Sequence, residues 1–73
     1  MERDTLLKKF AKNVKIERIK KDYTQEQLAE KMGVTQHYIG HIERGKANMS
    51  LGKILELAKH LDTDIANLLN FKD

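Results

Sequence analysis

Residues 25–42, with the sequence QEQLAEKMGVTQHYIGHI, decide the fold of this 73-residue chain. Leu28 and Met32 stand four residues apart, which places both on one face of a helix. Gly33 follows directly, and glycine ends a helix well because it adopts the left-handed conformation without penalty. Apolar residues at helical spacing resume after it. The stretch therefore predicts two short helices that meet in a tight turn at Gly33.

Capping residues mark the ends of both helices. Thr24 precedes the first helix, where its hydroxyl can accept an amide hydrogen bond, and Gln27 stands at the partner position of a capping box. Thr35 is the cap of the second helix, and Gly45 is its stop. The local signals therefore agree with the apolar pattern.

The rest of the chain has the same character. It holds no proline, no repeat and no linker-like stretch, and its apolar residues recur three and four apart without strand-like alternation. We therefore expect a single all-α domain over residues 1–73. Its five helices are expected over residues 5–21, 25–32, 36–44, 51–60 and 64–69. The residues expected to be buried outside the central pair are Leu6, Leu7, Phe10, Val14, Leu51, Ile54, Leu55, Leu57, Ala58, Leu61, Ile65, Leu68 and Leu69.

Two helix boundaries are less sharply marked. Asp4 or Thr5 is the expected cap of the first helix, and Asp62 is expected at the C-cap of the fourth. Ile16 and Ile19 lie off the main apolar stripe of the first helix, and the sequence does not decide whether they are buried.

Composition excludes several classes of protein. The chain has no cysteine, so it has neither a disulfide nor a thiolate zinc site. It shows no signal-peptide run and no apolar stretch that approaches the ~18 residues of a membrane span, so we expect a cytoplasmic protein without a membrane partner. The net charge is +3, with nine Lys and Arg against six Asp and Glu in residues 1–31. This bias favours a polyanionic partner only weakly.

One side of the second helix of the motif, expected over residues 36–44, is polar and should be exposed. Thr35, Gln36, His37, Gly40 and His41 lie on it, opposite the apolar residues. A small basic domain that presents such a helix is best explained as a reader of DNA.

Residues 24–69 resemble the Xre-type helix-turn-helix family, which includes the lambdoid phage repressors and Cro proteins. The resemblance rests on Gln-x₃-Ala-x₃-Gly from Gln25, on Ile-Glu-Arg-Gly over residues 42–45, and on the amphipathic helix that follows; Phe10 and Arg18 extend it into the first helix. It implies a five-helix, lambda-repressor-like domain that regulates transcription by binding specific DNA sequences. The Asn-Met-Ser segment at residues 48–50 resembles the small controller proteins of restriction-modification systems.

The resemblance also implies residue roles. The base-reading positions map onto Gln36, His37 and His41, and a glutamine can pair with adenine N6 and N7 in the major groove. His41 is expected to donate to a guanine acceptor or to a phosphate. The residues expected along the DNA backbone are Gln25, Thr35, Tyr38, Gly40, Arg44, Lys46 and Asn48. Tyr38 has an alternative role, which is to cover the joint between the two helices.

A salt bridge between Arg18 and Glu43 is also implied by the family, and we interpret it as orienting the second helix of the motif. Departures from the family pattern are Met49 in place of proline, Glu17 in place of an apolar residue, and Asp22 and Asp62 in place of glycine. These departures concern stability and loop geometry, because none lies on the expected DNA surface.

One helix reads few bases, so we expect a homodimer on a palindromic operator with half-sites ~34 Å apart. Its expected anchors are Leu68, Leu69 and Phe71, although plain core packing explains them equally well.

Two other hypotheses remain open. His37 and His41 have the spacing of a zinc-binding pair, but Tyr38 replaces the glutamate of an H-E-x-x-H motif and no third ligand is evident. The other hypothesis is that the chain uses the same scaffold to bind a protein partner. No catalytic set, cofactor motif or site for a small-molecule effector is evident, so we expect neither an enzyme nor a cofactor or metal.

Overall fold

The computed structural model describes residues 1–72, which contain five α-helices and no strand. The helices are α1 (Arg3–Lys20), α2 (Gln25–Met32), α3 (Gln36–Glu43), α4 (Leu51–His60) and α5 (Ile65–Leu68). The all-α, five-helix prediction is confirmed, although α3 and α5 are shorter than expected. Helix α1 starts earlier, because Glu2 occupies its N-cap position and neither Asp4 nor Thr5 caps it. Within the described chain, no helix is both long and apolar enough to cross a membrane.

Hydroxyl side chains cap the N-termini of α2, α3 and α4. The hydroxyls of Thr24, Thr35 and Ser50 accept backbone N–H bonds of 3.0, 3.1 and 3.2 Å from the residues three positions on. The side chain of Gln27 accepts a bond of 2.9 Å from the Thr24 amide, which completes the predicted capping box. Local sequence therefore sets the starting points of α2, α3 and α4.

Helices α1 to α4 each end with one residue in the left-handed conformation. These residues are Asp22, Gly33, Gly45 and Asp62, with φ of 59°, 68°, 74° and 50°. In each case the next residue donates its amide to a carbonyl five positions back, as in a Schellman motif. Aspartate replaces the family glycine at two of the four ends, and it tolerates this conformation better than most side chains. Asp62 therefore follows the C-cap residue, Leu61, rather than occupying that position itself.

The core lies where the five helices meet. Its fully buried side chains are Val14, Leu28, Ile39, Ile42, Leu57, Leu61 and Leu68. Two predictions about α4 are wrong, because Leu51 is 69% exposed and Leu55 is 44% exposed. The buried stripe of α4 comprises only Ile54, Leu57, Ala58 and the adjoining Leu61. Leu51 and Leu55 project from the margin of this stripe.

The outer surface of α1 also departs from expectation. Leu6, which we predicted to be buried, is 37% exposed, and Ile16 and Ile19 are exposed as well. Glu17, by contrast, is buried at a position where the family prefers an apolar residue. Helix α1 therefore places a carboxylate inside the molecule and leaves aliphatic side chains outside.

Candidate nucleic-acid interface

Helix α3 has one buried face and one exposed face. Ile39 and Ile42 are fully buried against α1 and α2, whereas Gln36 and His37 are exposed at the first turn. Within residues 1–72 the side chain of Gln36 makes no hydrogen bond, so its carbonyl oxygen and its NH2 group are both free for an external partner. The polar edge of α3 is thus held in place by apolar packing beneath it.

The rings of the two histidines of α3 lie near each other and are close to parallel. The rings of His37 and His41 are stacked with centroids 6.3 Å apart and an angle of 21° between their planes. His41 is half-buried, and His37 is exposed. No group of three His, Cys, Asp or Glu side chains that could hold a metal ion occurs in the described part of the chain.

A groove opens beside α3, and it unites most of the predicted backbone-contact residues. We call it the α3 groove; its polar lining comprises Thr35, Tyr38, His41, Lys46, Asn48 and Lys53. Lys53 was missed by the sequence analysis, because it belongs to the first turn of α4 and only folding brings it to this surface. Tyr38 is half-buried and also packs against the core, so it covers the joint between the helices as well as lining the groove.

Gln25 and Arg44 lie together on α2 and at the end of α3, with Gly40 between them. A Cβ atom built on Gly40 would lie 2.9 Å from Nη1 of Arg44 and 3.6 Å from Oε1 of Gln25. Gly40 is therefore buried beneath these side chains, and the prediction that it lies on the exposed face of the helix is wrong. One proton of the Gln25 amide is donated to Oε1 of Glu43 over 3.2 Å.

Arg18 and Glu43 connect α1 to α3. Nε and Nη2 of Arg18 donate to the two carboxylate oxygens of Glu43 over 2.7 and 3.0 Å. The Arg18 side chain is 11% exposed and that of Glu43 is 3% exposed, so solvent screens the pair little. Nη1 of Arg18 also donates to the carbonyl of Tyr23, just before α2, over 2.6 Å. Together with Gln25, the pair joins α1, α2 and α3; we call these three side chains the Arg18 cluster.

The predicted dimer anchors divide into two groups. Leu68 is fully buried in the chain's own core, so its assignment as an intermolecular anchor is wrong. Leu69 and Phe71 are half-buried and line an apolar hollow of about 210 Å³ with Leu6 and Leu51. With Leu55, which follows one turn after Leu51 on α4, these side chains form what we call the apolar patch.

Comparison with known proteins identifies the family. The family model described as Helix-turn-helix matches residues 14–68. The chain belongs to this helix-turn-helix family. It is 42% identical to the control protein C.SmaI of Serratia marcescens over 60 residues, which cover 82% of this chain and 71% of that protein.

Two solved structures are similar as well. The restriction-modification controller protein C.AhdI of Aeromonas hydrophila superposes with a TM-score of 0.84 at 37% identity, covering 93% of this chain and 99% of that one. The hypothetical transcription factor NHTF from Neisseria superposes with a TM-score of 0.84 at 28% identity, covering 96% of this chain and 80% of that one. The Xre-type resemblance and the helix-turn-helix fold are therefore confirmed.

Proposed function

We propose that this protein is a DNA-binding transcriptional regulator, rather than an enzyme, and that α3 enters the major groove. The observation that carries the proposal is the division of α3 into a buried aliphatic face and an exposed polar first turn. In recognition helices the N-terminal residues contact base edges. Family membership supports the same role.

Gln36 and His37 are the proposed base readers. Both are exposed at the first turn of α3, and an unengaged glutamine amide can pair with the N6 and N7 atoms of adenine. His41 lies deeper, stacked on His37 and lining the α3 groove. We therefore assign His41 a contact at the edge of the site, to a guanine acceptor or to a phosphate.

Phosphate contacts are proposed on both sides of α3. On one side, the α3 groove offers Thr35, Tyr38, Lys46 and Asn48, to which we add Lys53. On the other, Gln25 opens α2 and Arg44 lies close beside it. The first-turn amides of α2 favour an anion, and the arginine adds a full positive charge there. Such contacts fix register and affinity rather than sequence preference.

We propose a homodimer that pairs through the apolar patch. Leu51 and Leu55 are large side chains left exposed on α4, and the half-buried Leu69 and Phe71 line the same hollow as Leu51. A second copy on this surface would remove them from water and give two recognition helices for a palindromic operator. Sedimentation analysis tests this: Leu55→Asp should dissociate the dimer, whereas Ile19→Asp, at an exposed aliphatic residue on α1, should not.

The narrower role of a restriction-modification controller is supported by two relatives, one a control protein and the other a restriction-modification controller protein. A role on DNA also favours the cytoplasm as its location. The described helices share one core, which supports a single domain.

Selection from a random duplex pool tests the function. The wild-type protein should enrich one palindromic sequence, and its affinity should fall steeply as salt rises. Gln36→Ala should relax the preference at one base position in each half-site. Lys46→Ala should weaken all sequences alike and lower the salt slope by about one, whereas Lys12→Ala, on α1 outside the α3 groove, should change neither. No enrichment of any duplex would refute the proposal and would favour a protein-interaction module instead.

A further inference from the structure

The small size of Gly40 creates the space that Arg44 occupies. Arg44 follows Gly40 by one helical turn, and its backbone amide donates to the Gly40 carbonyl over 3.0 Å. Its side chain then turns back, so that Nη1 lies where a Cβ of residue 40 would make a contact of 2.9 Å. Any larger residue at position 40 must displace the guanidinium.

The Gln25 side chain of α2 forms the other side of this space. Oε1 of Gln25 would lie 3.6 Å from the same Cβ position, so the glutamine amide and the guanidinium flank Gly40 from α2 and α3. The Gln25 amide is in turn fixed by its bond to Glu43, which Arg18 holds from α1. The Gln25 side chain is therefore restrained by its hydrogen bond, and the space left open above Gly40 is the one that the Arg44 guanidinium takes.

We propose that Gly40 is a positioning residue: it orders Arg44 beside the first turn of α2, where the guanidinium meets a DNA phosphate. This inference rests on the proposed function and extends it, because Gly40 acts on DNA affinity through Arg44 and touches no DNA itself. Ordering a long side chain before binding lowers the entropy lost on association, so the glycine contributes to affinity.

Alanine at position 40 separates this role from a structural one. Because the atom in its way is the end of a flexible side chain, Gly40→Ala should fold normally, and the better helix propensity of alanine should raise the melting temperature. Affinity should nevertheless fall by about two- to tenfold, the range expected for losing the order of one such side chain. Gly52→Ala is the matched control, since its nearest neighbour, Oγ of Ser50, would lie 3.9 Å away. It should leave affinity unchanged.

A double-mutant cycle with Arg44→Ala decides the matter, using the duplex that the wild-type protein selects from a random pool. Arg44→Ala should weaken binding, and adding Gly40→Ala to it should have no further effect. An equal loss from Gly40→Ala with and without Arg44 would overturn the inference, as would unchanged affinity or a lower melting temperature in Gly40→Ala. If Arg44→Ala itself binds like wild type, the proposed phosphate contact of Arg44 fails and the inference falls with it; if the wild-type protein binds no duplex, the proposed function fails entirely.

Discussion

Glu17 and Arg18 are neighbours on α1, both are buried, and they serve opposite halves of the molecule. Arg18 points toward α2 and α3, where Glu43 and the Tyr23 carbonyl satisfy its guanidinium. Glu17 accepts a bond of 2.8 Å from the hydroxyl of Thr63, between α4 and α5. Adjacent residues on a helix point about 100° apart, so one turn of α1 can hold both halves of the fold.

The two residues differ in how completely they are enclosed and in how many partners they have. The Arg18 cluster joins three helices, because the Glu43 carboxylate accepts hydrogen bonds from both Arg18 and Gln25. Glu17 is bonded to the Thr63 hydroxyl and to Lys20, whose side chain is 66% exposed; we call these three side chains the Glu17 cluster. The Arg18 cluster therefore fixes α3 relative to α1 and α2 on the proposed DNA face, whereas the Glu17 cluster ties α1 to the segment between α4 and α5. Disrupting each should therefore give different phenotypes.

Arg18→Ala should be the most damaging change. It would leave the carboxylate of Glu43 buried without its cation, and breaking half of a buried pair typically costs ~3–5 kcal/mol. For a domain of this size such a loss approaches the whole stability. Chemical denaturation measures it, with Lys15→Ala on the exposed side of α1 as control. A midpoint equal to that of the wild type would refute the structural importance of the pair.

Matched glutamine substitutions should separate the two clusters on DNA. Glu43→Gln removes the counter-charge of Arg18 and loosens the support of Gln25, so affinity should fall by about three- to tenfold as order at the interface is lost. Glu17→Gln is the same chemical change in the other cluster and should leave affinity unchanged. Both are measured at a temperature where each variant is folded. Equal losses for the two variants would show that general stability, and not geometry, controls binding.

How well the sequence predicts a contact depends on how far apart its two residues are along the chain. The caps at Thr24 and Thr35 are local and were confirmed, and the Arg18–Glu43 contact was expected from the family. The partner of Glu17 was not anticipated, because Thr63 is 46 positions away and no short motif links them.

Two positions near the site, Gly40 and Leu68, could not be assigned from the helical pattern alone. Gly40 was placed on the exposed face from its helical angle, but the Arg44 side chain folds over it. For Leu68 the sequence leaves core packing and a dimer contact equally open, and the packing of α1, α4 and α5 buries it in the core. Side-chain conformation and long-range packing decide these positions, and periodicity reports neither.

Acid should distinguish the clusters as well. The hydroxyl of Thr63, followed by the nearby Lys20, lowers the pKa of Glu17 in the folded protein, although burial opposes the shift. A carboxylate with a lowered folded pKa stabilises the fold above its unfolded pKa, and that contribution disappears as pH falls through the folded value. Glu17→Gln should therefore lose ~1–2 kcal/mol at neutral pH and less in acid. Parallel stability curves from pH 7 to pH 3, for variant and wild type, would contradict this.

Lys20→Met should give the smallest effect and so define the edge of the Glu17 cluster. The Lys20 ammonium lies 3.1 Å from Glu17, but its side chain is mostly in solvent, where an ion pair is typically worth less than ~1 kcal/mol. The carboxylate keeps the Thr63 hydroxyl, so the fold should lose little, and raising the salt concentration should abolish even that difference. Thr63→Val, which removes the largest cause of the pKa shift, should cost more than Lys20→Met. The reverse order would mean that the exposed lysine, rather than the hydroxyl from the C-terminal half, holds Glu17 in place.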